Sequence, residues 1–353
     1  MYTYEIDPRA MFADRFEQFE KFGIPRADIE RVRTAVTDMW ADAPGGWVHE
    51  WSNLARSYAE SDDHATAATA YGFAKFPCLN GEARVVAMRR QLEQYELAAK
   101  DFPVRFERRV IEIPYRDDTI AVPVHLYSAD GDYASRPVLI ASGGVDTFKL
   151  DFHPWCLGFT MNAGVTTLAF DNPGTGECPV PLDEHSDDVI RGIADYARSI
   201  GDGRVTHFGM SFGGNFAAMT GLTGAVDAAV DLGGPVCGTF SPDHLAKLPY
   251  GMHDIIGNAM GWDHSPSLDE LGQWLQALSR RGLIAQNSGS PMLVINGADD
   301  YFVLQSDTLV FEGRPDTEVH LLSGTGHCAM SRAAEVMPMI VEWLQRHCAP
   351  VIS

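Results

Sequence analysis

Val205-Thr206-His207-Phe208-Gly209-Met210-Ser211-Phe212-Gly213-Gly214-Asn215 reads as a short buried strand, a sharp turn carrying one serine, and then a helix over Asn215–Thr220. A serine hydroxyl is a weak nucleophile unless it is exposed, oriented and set beside a base. A strand–turn–helix around G-x-S-x-G supplies the exposure, because the strained turn lifts the serine above the sheet. Such a turn leaves no room for side chains two residues away on either side. Gly209 and Gly213 meet that demand, and Gly214 lets the helix pack closely on its strand.

The surroundings of this pentapeptide suit an α/β sheet. Arg109–Pro114 and Thr119–Tyr127 alternate in period two around Arg116-Asp117-Asp118, which predicts an antiparallel hairpin at a sheet edge. Short buried-type strands follow at Val138–Ser142, Val165–Phe170, Val205–Phe208, Ala228–Leu232, Met292–Asn296 and Glu318–Leu322. Helical stretches separate most of them, so a mainly parallel sheet of about eight strands, covered on both faces, is expected. The interval from about 237 to 287 is too long for a simple crossover. It reads as an insertion after the sixth strand, with one helix over Leu268–Arg281, placed to form a lid over the strand ends where such sheets bind ligands.

A serine nucleophile needs a base, and the base needs an acid to orient it. The strand Met292–Asn296 runs into Gly297-Ala298-Asp299-Asp300, and the last strand into Ser323-Gly324-Thr325-Gly326-His327. Serine, acid and histidine thus follow one another in the order that this kind of sheet requires, all at the same edge. His327 is the expected base. Asp300, three residues beyond Gly297, is the preferred acid, with Asp299 the alternative and otherwise a helix cap. An oxyanion needs two preorganised donors. The N–H of Phe212 is the first, and the second comes from Gly143-Gly144-Val145-Asp146, with Val145 preferred and Gly144 next. Asp146 reads as a loop cap or as a pocket residue.

Residues 1–104 carry apolar positions at helical spacing in Ile29–Trp40, Trp47–Glu60, His64–Phe76 and Gly81–Lys100, a helical domain ahead of the sheet domain 105–353. Asp62-Asp63 and Asn80-Gly81 punctuate it. Trp47, Trp51, Leu54 and Tyr58 share one face, which is most simply a core. The 353 residues carry a net charge of −21 without a basic cluster, which argues against nucleic acid and anionic membranes as partners. No signal peptide and no membrane-length apolar run is visible, so a cytoplasmic location is expected. Six scattered cysteines lack metal or disulfide spacing. The turn Asp171-Asn172-Pro173-Gly174-Thr175-Gly176-Glu177 is no G-x-G-x-x-G and has no Walker lysine, so neither a nucleotide cofactor nor a metal is expected. It reads as a tight turn lining the pocket.

Gly209-x-Ser211-x-Gly213, Asp171-x-Pro173-Gly174-x-Gly176, Gly297-x-x-Asp300 and Gly326-His327 together resemble the α/β-hydrolase superfamily. The helical N-terminal region with Trp47 and Trp51, Gly143-Gly144-x-Asp146 and His327-Cys328 is similar to a narrower group: FrsA-like esterases, 2,6-dihydroxypseudooxynicotine hydrolase and fungal polyketide-shortening hydrolases. The resemblance implies an α/β-hydrolase fold with a helical cap that also makes a homodimer. It implies cleavage of an ester, or of a carbon–carbon bond beside a ketone, in an aromatic or polyketide-like small molecule without cofactor. By the same resemblance Ser211 is nucleophile, His327 base and Asp300 acid. An extra acidic or tyrosyl residue of the insertion could be supplied by Asp243, His244, Tyr250 or His253. An acyltransferase or cyclase with the same three residues, and a catalytically silent ligand-binding protein, are the competing expectations.

Overall fold

In the computed structural model, which describes residues 2–348, the apolar runs become one eight-stranded sheet. Its strands are β1 Arg105–Tyr115, β2 Asp118–Ser128, β3 Val138–Ser142, β4 Thr166–Phe170, β5 Val205–Met210, β6 Ala228–Leu232, β7 Met292–Gly297 and β8 Thr317–Leu322. Across the sheet they run β1-β2-β4-β3-β5-β6-β7-β8. The β1–β2 hairpin is antiparallel, as is β2 against β4, and all remaining pairs are parallel. Every residue of β3 to β7 is buried, the pattern of strands covered on both faces.

The helices are α1 Pro8–Lys21, α2 Arg26–Ala35, α3 Trp47–Ala59, α4 His64–Ala74, α5 Glu82–Ala98, α6 His153–Asn162, α7 Ser186–Ile200 and α8 Phe212–Thr223, with shorter helices and the final Ala333–Cys348 beyond. The chain divides into two compact units, Met1–Phe102 with Pro249–Pro266, and Pro103–Leu248 with Ser267–Ser353. The first is built on Met11, Phe12, Phe19, Trp47, Trp51 and their neighbours, so the tryptophan face of α3 is core. Residues 249–266, read from the sequence as part of one insertion, join this helical unit through Tyr2. The Tyr2 N–H donates to Asn258 Oδ1 at 3.0 Å, and the Tyr2 carbonyl accepts Asn80 Nδ2 at 2.9 Å.

Helix α8 is longer than the expected Asn215–Thr220, and two other stretches break well before their expected helical ends. The stretch expected to be helical to Trp40 stops at Ala35. There Asp38 Oδ1 takes the N–H groups of Trp40 at 2.7 Å and Ala41 at 2.9 Å, a local turn that competes with the helix. The stretch Leu268–Arg281 breaks after Leu275 into a short 3₁₀ turn, and a new short helix starts at Arg281. Arg280 is pulled inward at this break, its guanidinium holding Asp187 and Asn215 Oδ1.

Candidate active site

Ser211 sits between β5 and α8 with φ 56° and ψ −127°, a conformation that side-chain-bearing residues rarely adopt. The flanking glycines make room for it. A Cβ on Gly209 would lie 2.0 Å from the Gly213 carbonyl oxygen, and one on Gly213 would lie 2.5 Å from the Gly143 oxygen. The Ser211 N–H reaches the Leu232 carbonyl of β6 at 2.8 Å and fixes the turn to the sheet.

The three residues expected to work together meet. Ser211 Oγ lies 2.8 Å from His327 Nε2, and His327 Nδ1 lies 2.8 Å from Asp300 Oδ2. Asp300 occupies the third position and Asp299 does not; the Asp299 N–H is used on the Thr325 carbonyl at 3.0 Å. The Asp300 side chain is fully buried. Its Oδ1 accepts the Phe302 N–H at 2.7 Å, and its Oδ2 also accepts Asn296 Nδ2 at 2.9 Å. Burial alone would raise this carboxyl, but the bonds from His327, Asn296 and Phe302 outweigh it and hold it below its ordinary range. On His327 burial opposes the charged form. The neighbouring Cys328 sulfur and the hydrogen-bonded Asp300 outweigh that, and the imidazole stands well above its ordinary value.

The loop after β3 closes on the serine from the other side. A Cβ placed on Gly144 would lie 3.0 Å from Ser211 Oγ and 3.7 Å from Asp146 Oδ1, so both groups border the space before Gly144. The Gly143 carbonyl accepts the Gly213 N–H at 2.9 Å and Asn172 Nδ2 at 2.7 Å, which fixes the peptide plane it shares with the Gly144 N–H. Phe212 opens α8, where an N–H has no carbonyl one turn back to bond. Val145 is buried in the same loop. The cap of this loop is Asp151, whose Oδ2 accepts the Phe148 N–H at 2.7 Å, whereas Asp146 takes a bond from Thr147 Oγ1 at 3.2 Å.

The remaining candidates are spread over both units. His244 is buried and its Nε2 donates to the Phe302 carbonyl at 2.8 Å; the Phe302 ring meets His327 edge-on at 5.3 Å. Asp243 is exposed on the short helix Pro242–Leu245. Tyr250 and His253 belong to the helical unit. There Tyr250 packs on the aromatic core, and His253 Nε2 pairs with Asp254 at 3.0 Å.

The Asp171 turn is an ionic knot. Asp171 Oδ1 accepts the Lys149 N–H at 2.7 Å, and its Oδ2 meets Lys149 Nζ at 2.5 Å. Lys149 Nζ also reaches Glu177 at 2.8 Å. Among the described residues no group of three or more His, Cys, Asp or Glu side chains could hold a metal, and no helix is long and apolar enough to cross a membrane.

Sequence reasoning passed over Asn296, Asn172 and Lys149. Asn296 stood in plain view as the last polar residue of an apolar strand, but its partners are set by the fold.

A doubly covered sheet in this strand order, with serine, histidine and aspartate meeting at one edge, defines an α/β-hydrolase. The family model described as "Esterase FrsA-like" matches residues 26–345, and the chain belongs to that family, a hydrolase of the α/β-hydrolase superfamily. Esterase FrsA of Photobacterium profundum is 25% identical over 329 residues, covering 86% of this chain and 76% of that protein. Against Esterase FrsA of Yersinia pestis (strain Pestoides F) the identity is again 25%, over 70% of this chain and 64% of that one, just under two thirds of its length. Of solved structures, wild-type AbyA5 superposes with a TM-score of 0.75 at 18% identity, covering 94% of this chain and 99% of its own. The 2,6-dihydroxy-pseudo-oxynicotine hydrolase superposes with a TM-score of 0.75 at 19% identity, covering 95% and 96%. These likenesses show the fold, and the resemblance read from the motifs is borne out.

Proposed function

We propose that this chain hydrolyses an acyl bond in a small, largely apolar molecule, with Ser211 as nucleophile, His327 as general base and acid, and Asp300 as orienting acid. The observation that carries the reading is the continuous relay of two 2.8 Å hydrogen bonds from Ser211 Oγ through His327 to Asp300. His327 takes the Ser211 proton as Oγ attacks the carbonyl carbon. The oxyanion that forms is held by the N–H of Phe212 and one from the loop after β3, Val145 or Gly144. His327 then protonates the leaving group, an alcohol from an ester or a carbon acid from a ketone. Water, deprotonated by His327, releases the acid from Ser211.

Phe302 beside His327, Phe212 beside Ser211, and Phe240, whose ring lies 6.4 Å from that of Phe212, support an apolar acyl or aryl group in the substrate. The likeness to 2,6-dihydroxy-pseudo-oxynicotine hydrolase along nearly the whole chain keeps carbon–carbon cleavage within the reading. The test is mass spectrometry of products from aryl esters, lactones and aryl β-diketones, with Ser211→Ala as control. Turnover by that variant at the wild-type level removes the scheme. Cleavage of diketones but not esters assigns the carbon–carbon reaction, and the reverse assigns an esterase. Transfer to an added alcohol in place of hydrolysis would make the enzyme an acyltransferase.

A further inference from the structure

Asn296 is wholly buried at the end of β7, and no step above uses it. Its side chain has two ends, and each holds a different arm of the relay. Nδ2 donates to Asp300 Oδ2 at 2.9 Å, the same oxygen that accepts His327 Nδ1 at 2.8 Å. Oδ1 accepts two backbone N–H groups, Gly297 at 2.8 Å and Cys328 at 3.0 Å. Gly297 begins the loop that carries the acid, and Cys328 follows the histidine directly.

The second contact lies at an unusual stretch of chain. Cys328 and Ala329 are consecutive non-glycine residues with positive φ, 53° and 49°. Left-handed residues of this kind persist only where their surroundings over-determine them. Here the Cys328 N–H is held by Asn296, its thiol donates to the Leu232 carbonyl at 3.2 Å, and the Ala329 N–H closes on the Gly326 carbonyl at 2.9 Å. A Cβ on Gly233 would lie 2.7 Å from Cys328 Sγ and 3.2 Å from Asn296 Oδ1, so the chain fills the space behind both groups.

We infer that Asn296 is a positioning residue for the reaction: one amide side chain refers the carboxylate of Asp300 and the backbone of His327 to the same point on β7. Three donors fix the Asp300 carboxylate, and Asn296 is the one that also grips the histidine loop. An amide suits the position because it offers a donor to a carboxylate and an acceptor to two N–H groups without adding charge. Leucine, of similar size, offers neither. Aspartate keeps the acceptor but brings a second carboxylate against Asp300, and two such groups at hydrogen-bond distance share one proton. The titratable neighbours of that pair are His327 and the Cys328 thiol.

The inference rests on the proposed role of Ser211, and its test reads that role directly. The rate of Ser211 labelling by a fluorophosphonate is measured against pH for the wild type, Asn296→Leu and Asn296→Asp, with circular dichroism and thermal melting as folding checks. A wild type that leaves Ser211 unlabelled overturns the nucleophile assignment itself, independently of Asn296. Given labelling, Asn296→Leu is expected to slow it on the order of tenfold or more at every pH, since an ill-aimed base forfeits part of its contribution. Asn296→Asp is expected to follow the wild-type rate up to neutral pH, where the shared proton restores a donor to Asp300. It is then expected to lose rate at alkaline pH, a falling limb the wild type lacks. An Asn296→Asp profile parallel to that of the wild type, whether equal in rate or uniformly lowered, overturns the inference, even if Asn296→Leu does not fold.

Discussion

Lys149 grips Asp171 twice, through its backbone N–H to Oδ1 and through its ammonium to Oδ2, at 2.7 and 2.5 Å. The lysine belongs to the loop that follows β3 and closes on Ser211, and the aspartate directly follows β4. Both side chains are almost inaccessible, so each is the condition for burying the other. Lys149→Met should destabilise the protein by about 3–5 kcal/mol, because it leaves a buried carboxylate without its cation. Lys149→Met combined with Asp171→Leu should recover part of the loss. Denaturant titration of the wild type, the Lys149→Met variant and the double variant checks this; a double variant no more stable than Lys149→Met would contradict it.

The choice between neighbouring acids has a kinetic consequence. Asp300→Asn should remove most activity, by about 10⁴-fold where the comparable change in a serine protease serves as guide, while Asp299→Asn should stay near wild type. Steady-state kinetics on any substrate found for the enzyme separates the two.

The pH profile should carry the signature of His327. Its imidazole is held well above the ordinary 6.5, so the protonated, inactive form persists to higher pH than in a free histidine. The rising limb of kcat/KM is therefore expected above pH 6.5. Removing the Asp300 charge removes one cause of the elevation, and the residual activity of Asp300→Asn should rise at lower pH. A limb at or below the ordinary histidine value in the wild type would contradict the assignment.

Gly144→Ala tests the closeness of the loop to the nucleophile. The added methyl would lie 3.0 Å from Ser211 Oγ and 3.1 Å from its Cβ, so one of the two must move by a few tenths of an ångström. Displacements of about 1 Å in reacting groups cost about 10²-fold, which puts this variant about tenfold down in kcat/KM. Its melting temperature should change little.

Burial pushes the Asp231 carboxyl from 3.8 up to about 7, although the Gly234 N–H opposes the shift and Asp307 adds to it. A carboxyl raised in the folded state favours folding while protonated. That advantage is complete below the unfolded value near 3.8 and is lost as pH rises through about 7. Asp231→Asn keeps the shape and removes the titration. Its unfolding free energy should fall less steeply than the wild type's between about pH 4 and about pH 7.

The parts of the site legible in the sequence were those that local chemistry dictates. Val138–Ser142 and Ala228–Leu232 are strands to the residue, because a doubly covered strand reads as a short, mainly apolar run, interrupted in the second only by Asp231. Ser211, Asp300 and His327 were found because each follows such a run in a loop with glycines. Asn296 escaped because its partner Cys328 is 32 residues away and nothing in its own strand announces it. Lys149 carries no signal of its own in the sequence, since its burial depends on Asp171 and Glu177 being folded against it. The attachment of residues 249–266 to the helical unit was hidden for the same reason: Tyr2 and Asn258 are 256 positions apart.

That attachment has a consequence for anyone wishing to dissect the protein. The backbone passes between the two units at three places, after Phe102, after Leu248 and after Pro266. A hydrolase with an appended cap could be shortened at a single cut, but this one cannot. Deleting the first 102 residues would strand the segment Pro249–Pro266, whose Asn258 and Gly257 were shaped around Tyr2. The helical unit is stitched into the catalytic chain at three points, so no single truncation separates the two.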